Sequence, residues 1–296
     1  MKSLFESLRE EIVANNTIDN ALYDQFDVKR GLRNKDGSGV IAGLSRISSV
    51  IGTKKVENET VAVDGQLLYR GKNIFELAQG VIQEDPYGFE KIAFLLLIGR
   101  MPSQDELKAF CYELGELRSL PTYMLEHVIK GVPSKDLMNK FQTCVSALYG
   151  SDSNPDDLNP FENFYKALDL IAKAPTMVAY SYLATHKANP KFVVPPKEIS
   201  IAEGFLYMLN EGIKAPAFDN HILDLCLVLH TEHGGGNNST FATYVVASSA
   251  SDMYSTIAAA IASLKGPLHG SANSKVMEMM ADIKSNVKDW DNREEV

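Results

Sequence analysis

His230-Thr231-Glu232-His233-Gly234-Gly235-Gly236-Asn237-Asn238-Ser239-Thr240 follows a run, 222–229, that is apolar except for Asp224. An apolar run of that length reads as a fully buried helix end. Three glycines stop a helix sharply and let other groups approach its backbone, because they carry no Cβ. Asn238 or Ser239 can cap the helix that follows. The local chemistry therefore predicts a histidine, His233, held at a helix end beside approachable backbone. Downstream, Ala247, Ser248, Ser249, Ala250 and Ser251, then Ala258, Ala259, Ala260 and Ala262, predict closely packed helices, since small side chains let helix axes approach. Lys265-Gly266-Pro267-Leu268-His269-Gly270 breaks that pattern, and Ser271 or Asn273 can open a further helix.

Upstream the chain reads as helix almost throughout. Ser103 and Glu106 have capping-box spacing, and Leu107, Phe110, Cys111, Leu114 and Leu117 recur on one face. Ser134 is a candidate cap for a helix bearing Leu137, Phe141, Cys144, Val145 and Leu148. Residues 88–98 are short and nearly all apolar, as in a buried helix. The exception is residues 54–71. Val61 and Val63 alternate with small residues, Asp64-Gly65 follows, and Leu67 and Tyr69 alternate again, which predicts one small hairpin. Residues 151–160 are a loop whose acids invite a calcium reading. Counting from Asp152, however, the sixth and twelfth positions hold Asp157 and Asn163, where an EF-hand needs glycine and glutamate. A second polar stretch, 187–200, carries Pro190, Pro195 and Pro196.

Composition narrows the function classes. With 29 Lys+Arg against 38 Asp+Glu, the net charge of -9 argues against a general nucleic-acid binder, though not against a local anion pocket. Cys111, Cys144 and Cys226 lie in apolar helical patterns without a Cys-x-x-Cys, and read as buried thiols in a reducing compartment. No apolar run reaches the roughly 18 residues of a membrane span, and the first residues, Met1 to Glu6, do not resemble a signal peptide. The expectation is a cytoplasmic protein with no membrane partner, whose sequons at Asn15, Asn58 and Asn238 are chance matches.

Each histidine has a plainer reading. His127, His186 and His221 sit in polar surroundings and read as surface residues. His230 and His233 are three apart, but no third ligand is near, so no metal is expected. The glycine run lacks the Lys-Ser/Thr of a phosphate-binding P-loop and follows no strand. Residue chemistry alone leaves His233 open between a catalytic and a structural role.

The two stretches LHTEHGGGNNSTF (229–241) and SDMYSTIAAAIASLKGPLHGSAN (251–273) together resemble the citrate synthase family. Its pattern is His-x-[Asp/Glu]-His, a glycine- or polar-rich turn, Asn-x-Ser, a small-residue helix and Gly-Pro-x-His-Gly-x-Ala-Asn. Gly65-Gln66-Leu67-Leu68-Tyr69-Arg70-Gly71, Tyr87-Gly88-Phe89-Glu90, Asn154-Pro155-Asp156-Asp157, Ala174-Pro175-Thr176 and Phe205-Leu206-Tyr207-Met208-Leu209 are also similar to it. The resemblance implies a tricarboxylic acid cycle acyltransferase that condenses acetyl-CoA with oxaloacetate, both substrates rather than cofactors, and releases citrate and CoA. It implies that His233 hydrogen-bonds the thioester oxygen, that Gly234, Gly235 and Gly236 leave room for the acyl group, and that Asn237 shapes the pocket. His269 is implied either as a substrate contact or as part of a packed turn, and His230 as structural.

The same resemblance marks departures. Many members carry an oxaloacetate-contacting histidine in the helix matched by residues 199–205, where this chain has Ile201 and Gly204. Members also continue into a Gly-x-Gly-His element, an Asp-Pro-Arg, an aspartate base and further arginines, and these are not found after Asn273. The expectations are thus an all-α, citrate synthase-like large helical domain over 1–265 with one small N-terminal hairpin, and a small domain begun at 266–296 and truncated there. The chain as given is expected to be an inactive N-terminal part of the enzyme, forming a homodimer through 240–264. The alternatives are a 2-methylcitrate synthase and a non-catalytic helical dimer of the same fold.

Overall fold

The computed structural model describes residues 19–26, 34, 36, 39–40, 45–57, 59–84, 86–270 and 272–294. Readings that fall on residues 1–6, Asn15, Asn58 and Ser271 lie outside them. Two units separate, Met1–Ala42 and Gly43–Val296. In the first, helix α1 (Asn20–Gln25) is capped by Asp19, whose carboxylate accepts from the Ala21 N–H. Everything that follows concerns the second.

It opens with a three-stranded antiparallel sheet in the order β1 (Ser48–Val56), β2 (Glu59–Tyr69), β3 (Lys72–Asn73). The predicted hairpin is present, but its turn is not at Asp64-Gly65. Pairing closes at Val56↔Glu59, after Glu57 with φ 48, and Asp64-Gly65 lies within β2. There the register shifts between Ile51↔Gln66 and Thr53↔Ala62, so those two residues sit at an irregularity opposite Gly52. The second turn, Arg70-Gly71 between Tyr69 and Lys72, has φ values of 48 and 81, the left-handed pair that matches strand twist in two-residue hairpins.

The rest is helical: α2 (Ile74–Glu84), α3 (Gly88–Ile98), α4 (Gln104–Leu117), a π turn at Met124–Ile129, α5 (Leu137–Leu148), α6 (Pro160–His186), α7 (Ile201–Leu209), α8 (Ala217–His230), α9 (Asn238–Ala247), α10 (Met253–Leu264) and α11 (Ala272–Asn286). The capping box of α4 is present: Ser103 Oγ accepts from the Glu106 N–H, and the Glu106 carboxylate accepts from the Ser103 N–H. Elsewhere the caps move by a residue or two. Asp136, not Ser134, caps α5, and Ser134 Oγ accepts from the Asp136 N–H instead. A carboxylate outcompetes a hydroxyl as acceptor for orphan helix donors.

Three apolar clusters hold these elements. Tyr69, Leu77, Val81, Ile92, Leu95 and Val228 join the hairpin to α2, α3 and α8. Phe94, Phe110, Leu114 and Leu168 join α3, α4 and α6. Met124, Cys144, Met177, Tyr254, Ala258 and Ile261 join the π turn with α5, α6 and α10. The α8 run is less buried than its composition predicts: Asp224 and Val228 are buried, whereas Ile222, Cys226 and Leu229 are exposed. Of the three thiols, Cys144 is buried, Cys111 is half-buried and Cys226 is exposed, which corrects the reading of all three as buried. The acids of the 151–160 loop serve local contacts: Asp152 accepts from the Tyr254 hydroxyl and Asp156 from that of Tyr149.

Gly115 shows how closely α4 meets the chain leading to α7. A Cβ there would lie 2.3 Å from the Lys197 carbonyl oxygen and 2.9 Å from its carbonyl carbon. Gly115→Ala gains up to about 1 kcal/mol of helix propensity, but the clash is with backbone and overpacking costs more. A net loss of about 2 kcal/mol is expected in urea unfolding. An unchanged or higher midpoint would show that the two segments separate freely.

Candidate functional site

The turn between α8 and α9 is built from both ends and from the side. α8 closes with the Thr231 hydroxyl donating to Leu227 O (2.7 Å) and with His230 Nδ1 2.7 Å from Cys226 O. His230 is therefore occupied in its own helix. The Glu232 carboxylate then folds over the turn and accepts from the N–H groups of His233 (3.0 Å) and Gly234 (2.6 Å). On the other side Asn237 Nδ2 donates to Gly234 O (3.0 Å), while its Oδ1 accepts from the Thr240 N–H (2.9 Å). Asn237 is thus the N-cap of α9, the role expected of Asn238 or Ser239.

The three glycines are not equivalent. Gly234 has φ 93, and a Cβ on it would come 2.6 Å from Val50 Cγ2 on β1, so backbone conformation and contact both require glycine. A Cβ on Gly235 or Gly236 would meet nothing within 4 Å, so these two border open space. His233 sits on this turn with its side chain exposed, and its ring makes no hydrogen bond among the described residues. A donor held at a fixed backbone position, with space before it, can meet charge developing on a substrate oxygen.

His269 lies across the first turn of α9. Its Nε2 is 2.7 Å from Ser239 Oγ and accepts from the Ser239 N–H (3.3 Å). Of the predicted residues, His233, the glycines and Asn237 share one turn, and His269 supports the helix that the turn feeds. Among the described residues no three His, Cys, Asp or Glu side chains gather as metal ligands. A cavity of about 740 Å³ lined by Tyr87, Lys108, Cys111, Tyr112 and Glu198 touches none of the candidate residues.

Two contributors were missed. Glu232 is one. The other is Tyr69, fully buried at the end of β2, whose hydroxyl donates to Glu232 O (2.7 Å) and accepts from the Glu232 N–H (3.1 Å). Tyr69 stands in the Gly65–Gly71 stretch that carried part of the resemblance, but nothing local to it signals a partner 163 residues away.

A family model described as "Citrate synthase, C-terminal domain" matches residues 36–294. The chain belongs to the citrate synthase family. It is 36% identical over 255 residues to the citrate synthase of Synechocystis sp., which covers 85% of this chain and 58% of that protein. It is 34% identical over 220 residues to the citrate/2-methylcitrate synthase of Bacillus subtilis, covering 74% and 56%. The ternary complex of carboxymethyl coenzyme A and oxaloacetate with citrate synthase from Thermoplasma acidophilum aligns at TM-score 0.68 and 25% identity, over 83% of this chain and 58% of that one. The chain therefore spans under three-fifths of the length of these citrate synthase relatives. The mostly helical fold with one small N-terminal hairpin is the one the resemblance implied. In the helix where other members are expected to carry an oxaloacetate-contacting histidine, Ile201 and Gly204 are buried, and a Cβ on Gly204 would lie 2.9 Å from the Arg118 guanidinium.

Proposed function

We propose that this chain supplies the enol-stabilising half of a citrate synthase-type site. In that reaction a base removes a methyl proton of acetyl-CoA while a hydrogen-bond donor stabilises the oxygen of the enol. The enol carbon then attacks the ketone of oxaloacetate, and water cleaves the citryl thioester to citrate and CoA. His233 is the donor, and the observation that carries this reading is its exposed ring on a turn fixed by Glu232 and Asn237. Gly235 and Gly236 leave room for the thioester, Gly234 and Asn237 set the shape of the turn, and His269 acts on it from behind through Ser239. No cofactor is needed, because acetyl-CoA is consumed as substrate.

Neither Asp252 nor Asp282 matches the family's proton-abstracting aspartate. Asp252 caps α10 by accepting from the Ser255 N–H (2.8 Å), and Asp282 accepts from Asn286 within α11. On this reading the helical body runs to Lys265 and 266–296 begins the small domain, the part of the family's fold that precedes its aspartate base. The 296 residues alone then do not condense. Pairing of two cytoplasmic chains is part of the proposal and is assigned to α9, since α10 places Tyr254, Ala258 and Ile261 in the core while α9 has no fully buried residue.

The test is a chimera of this chain completed with the C-terminal remainder of the Synechocystis relative. It should release CoA from acetyl-CoA only when oxaloacetate is present, within the ordinary enzyme range of roughly 1–10³ per second, while the 296-residue chain alone releases none. A folded chimera without oxaloacetate-dependent release, or an active 296-residue chain, would overturn the assignment. Faster release from propionyl-CoA than from acetyl-CoA would favour the 2-methylcitrate reading.

A further inference from the structure

The turn that bears His233 is tied to a distant part of the chain by the Tyr69 hydroxyl. The two-residue turn Arg70-Gly71 ends β2 at Tyr69, and the Arg70 guanidinium donates to Leu96 O at the end of α3 (2.7 Å from Nη2, 3.1 Å from Nε). With its backbone pinned there, the Tyr69 ring is fully buried and its hydroxyl reaches the end of α8. Besides its two bonds to Glu232, that hydroxyl lies 3.3 Å from Val228 O and 3.4 Å from Leu229 O. These carbonyls lie in the last turn of the helix, where Val228 O also accepts from the Thr231 N–H (3.4 Å). Glu232 in turn holds the N–H groups of His233 and Gly234. The hairpin touches the turn a second time where Val50 packs against Gly234. Backbone and carboxylate of one residue thus connect Tyr69 to His233.

We propose that Tyr69 is the positioning residue for His233, a latch by which the hairpin fixes the backbone one residue before the histidine. The proposal deepens the functional reading above and rests on it for the meaning of the position. The latch itself is measured without turnover. Burial raises the Tyr69 hydroxyl above the usual phenol range, so it remains a donor through neutral pH.

Amide hydrogen exchange and histidine-ring NMR on the 296-residue chain test it. The Glu232 N–H lies outside any helix, and its partner is the Tyr69 hydroxyl, so in the unaltered chain it should be protected. In Tyr69→Phe, exchange at Glu232, His233 and Gly234 should quicken about ten-fold or more. The His233 ring resonances should shift, and amides in α5 and α6 should keep their rates. An unprotected Glu232 amide in the unaltered chain overturns the latch with no variant needed. So does a Tyr69→Phe protein whose turn amides and His233 ring are unchanged, one whose exchange rises equally through α5 and α6, or one that does not fold. An inactive chimera would sink the proposed reaction and leave the latch result standing.

Discussion

Replacing His233 by alanine in the completed chimera is expected to lower oxaloacetate-dependent CoA release by at least about 10²-fold, the usual contribution of a positioned proton donor. The side chain is exposed and its ring holds nothing together among the described residues, so the fold has no stake in it. Helical content and the unfolding midpoint should stay at the parent values. The loss should fall on kcat more than on KM, because the hydrogen bond strengthens as charge moves onto the enol oxygen. A His233→Ala protein with parent-like turnover, or one that fails to fold, would place the histidine among structural residues.

The second large effect is on stability. Glu90, on α3, is 1% exposed; one carboxylate oxygen accepts from the Ile201 N–H at the start of α7 (2.7 Å), and the other has no partner among the described residues. Burial raises its carboxyl from 4.5 to about 7, with the Asp224 carboxylate adding to the rise, while the Ile201 N–H and the Arg118 guanidinium oppose it. The folded chain therefore holds this proton more tightly than the unfolded chain. Stability from this group is full below pH 4.5 and is lost as pH rises through about 7. The whole change is about 3 kcal/mol. Urea unfolding from pH 5 to 8 should show the loss in the parent chain and a flatter profile in Glu90→Gln, whose amide keeps the acceptor for Ile201. Parallel profiles would contradict the assignment.

How much of this was legible beforehand depended on whether the signal was local. The Ser103–Glu106 capping box was readable because donor and acceptor lie within one turn of helix. The hairpin was readable from alternation, but its turn was misplaced. Asp64-Gly65 is a strong turn pair that the sheet uses at a register irregularity, while the chain reverses after Val56. The cap of α9 moved to Asn237 because that side chain bonds both forwards to Thr240 and backwards to Gly234, a pairing that counting from the apolar run does not predict. The exposed Ile222, Cys226 and Leu229 show that an apolar run does not state which of its faces neighbours will cover. His233 and its glycines were legible as a motif. Their support by Tyr69 was not, since it joins strand to turn across 163 residues of sequence.

The central claim is that His233 meets the acyl thioester. The most direct measurement is the His233 ring NMR signal of the chimera as carboxymethyl coenzyme A and oxaloacetate are added. The account predicts a saturating shift of the His233 resonances when both ligands are bound, with His127 and His186, exposed on other elements, unmoved. Ligands that bind and leave the His233 signal where it was would contradict it.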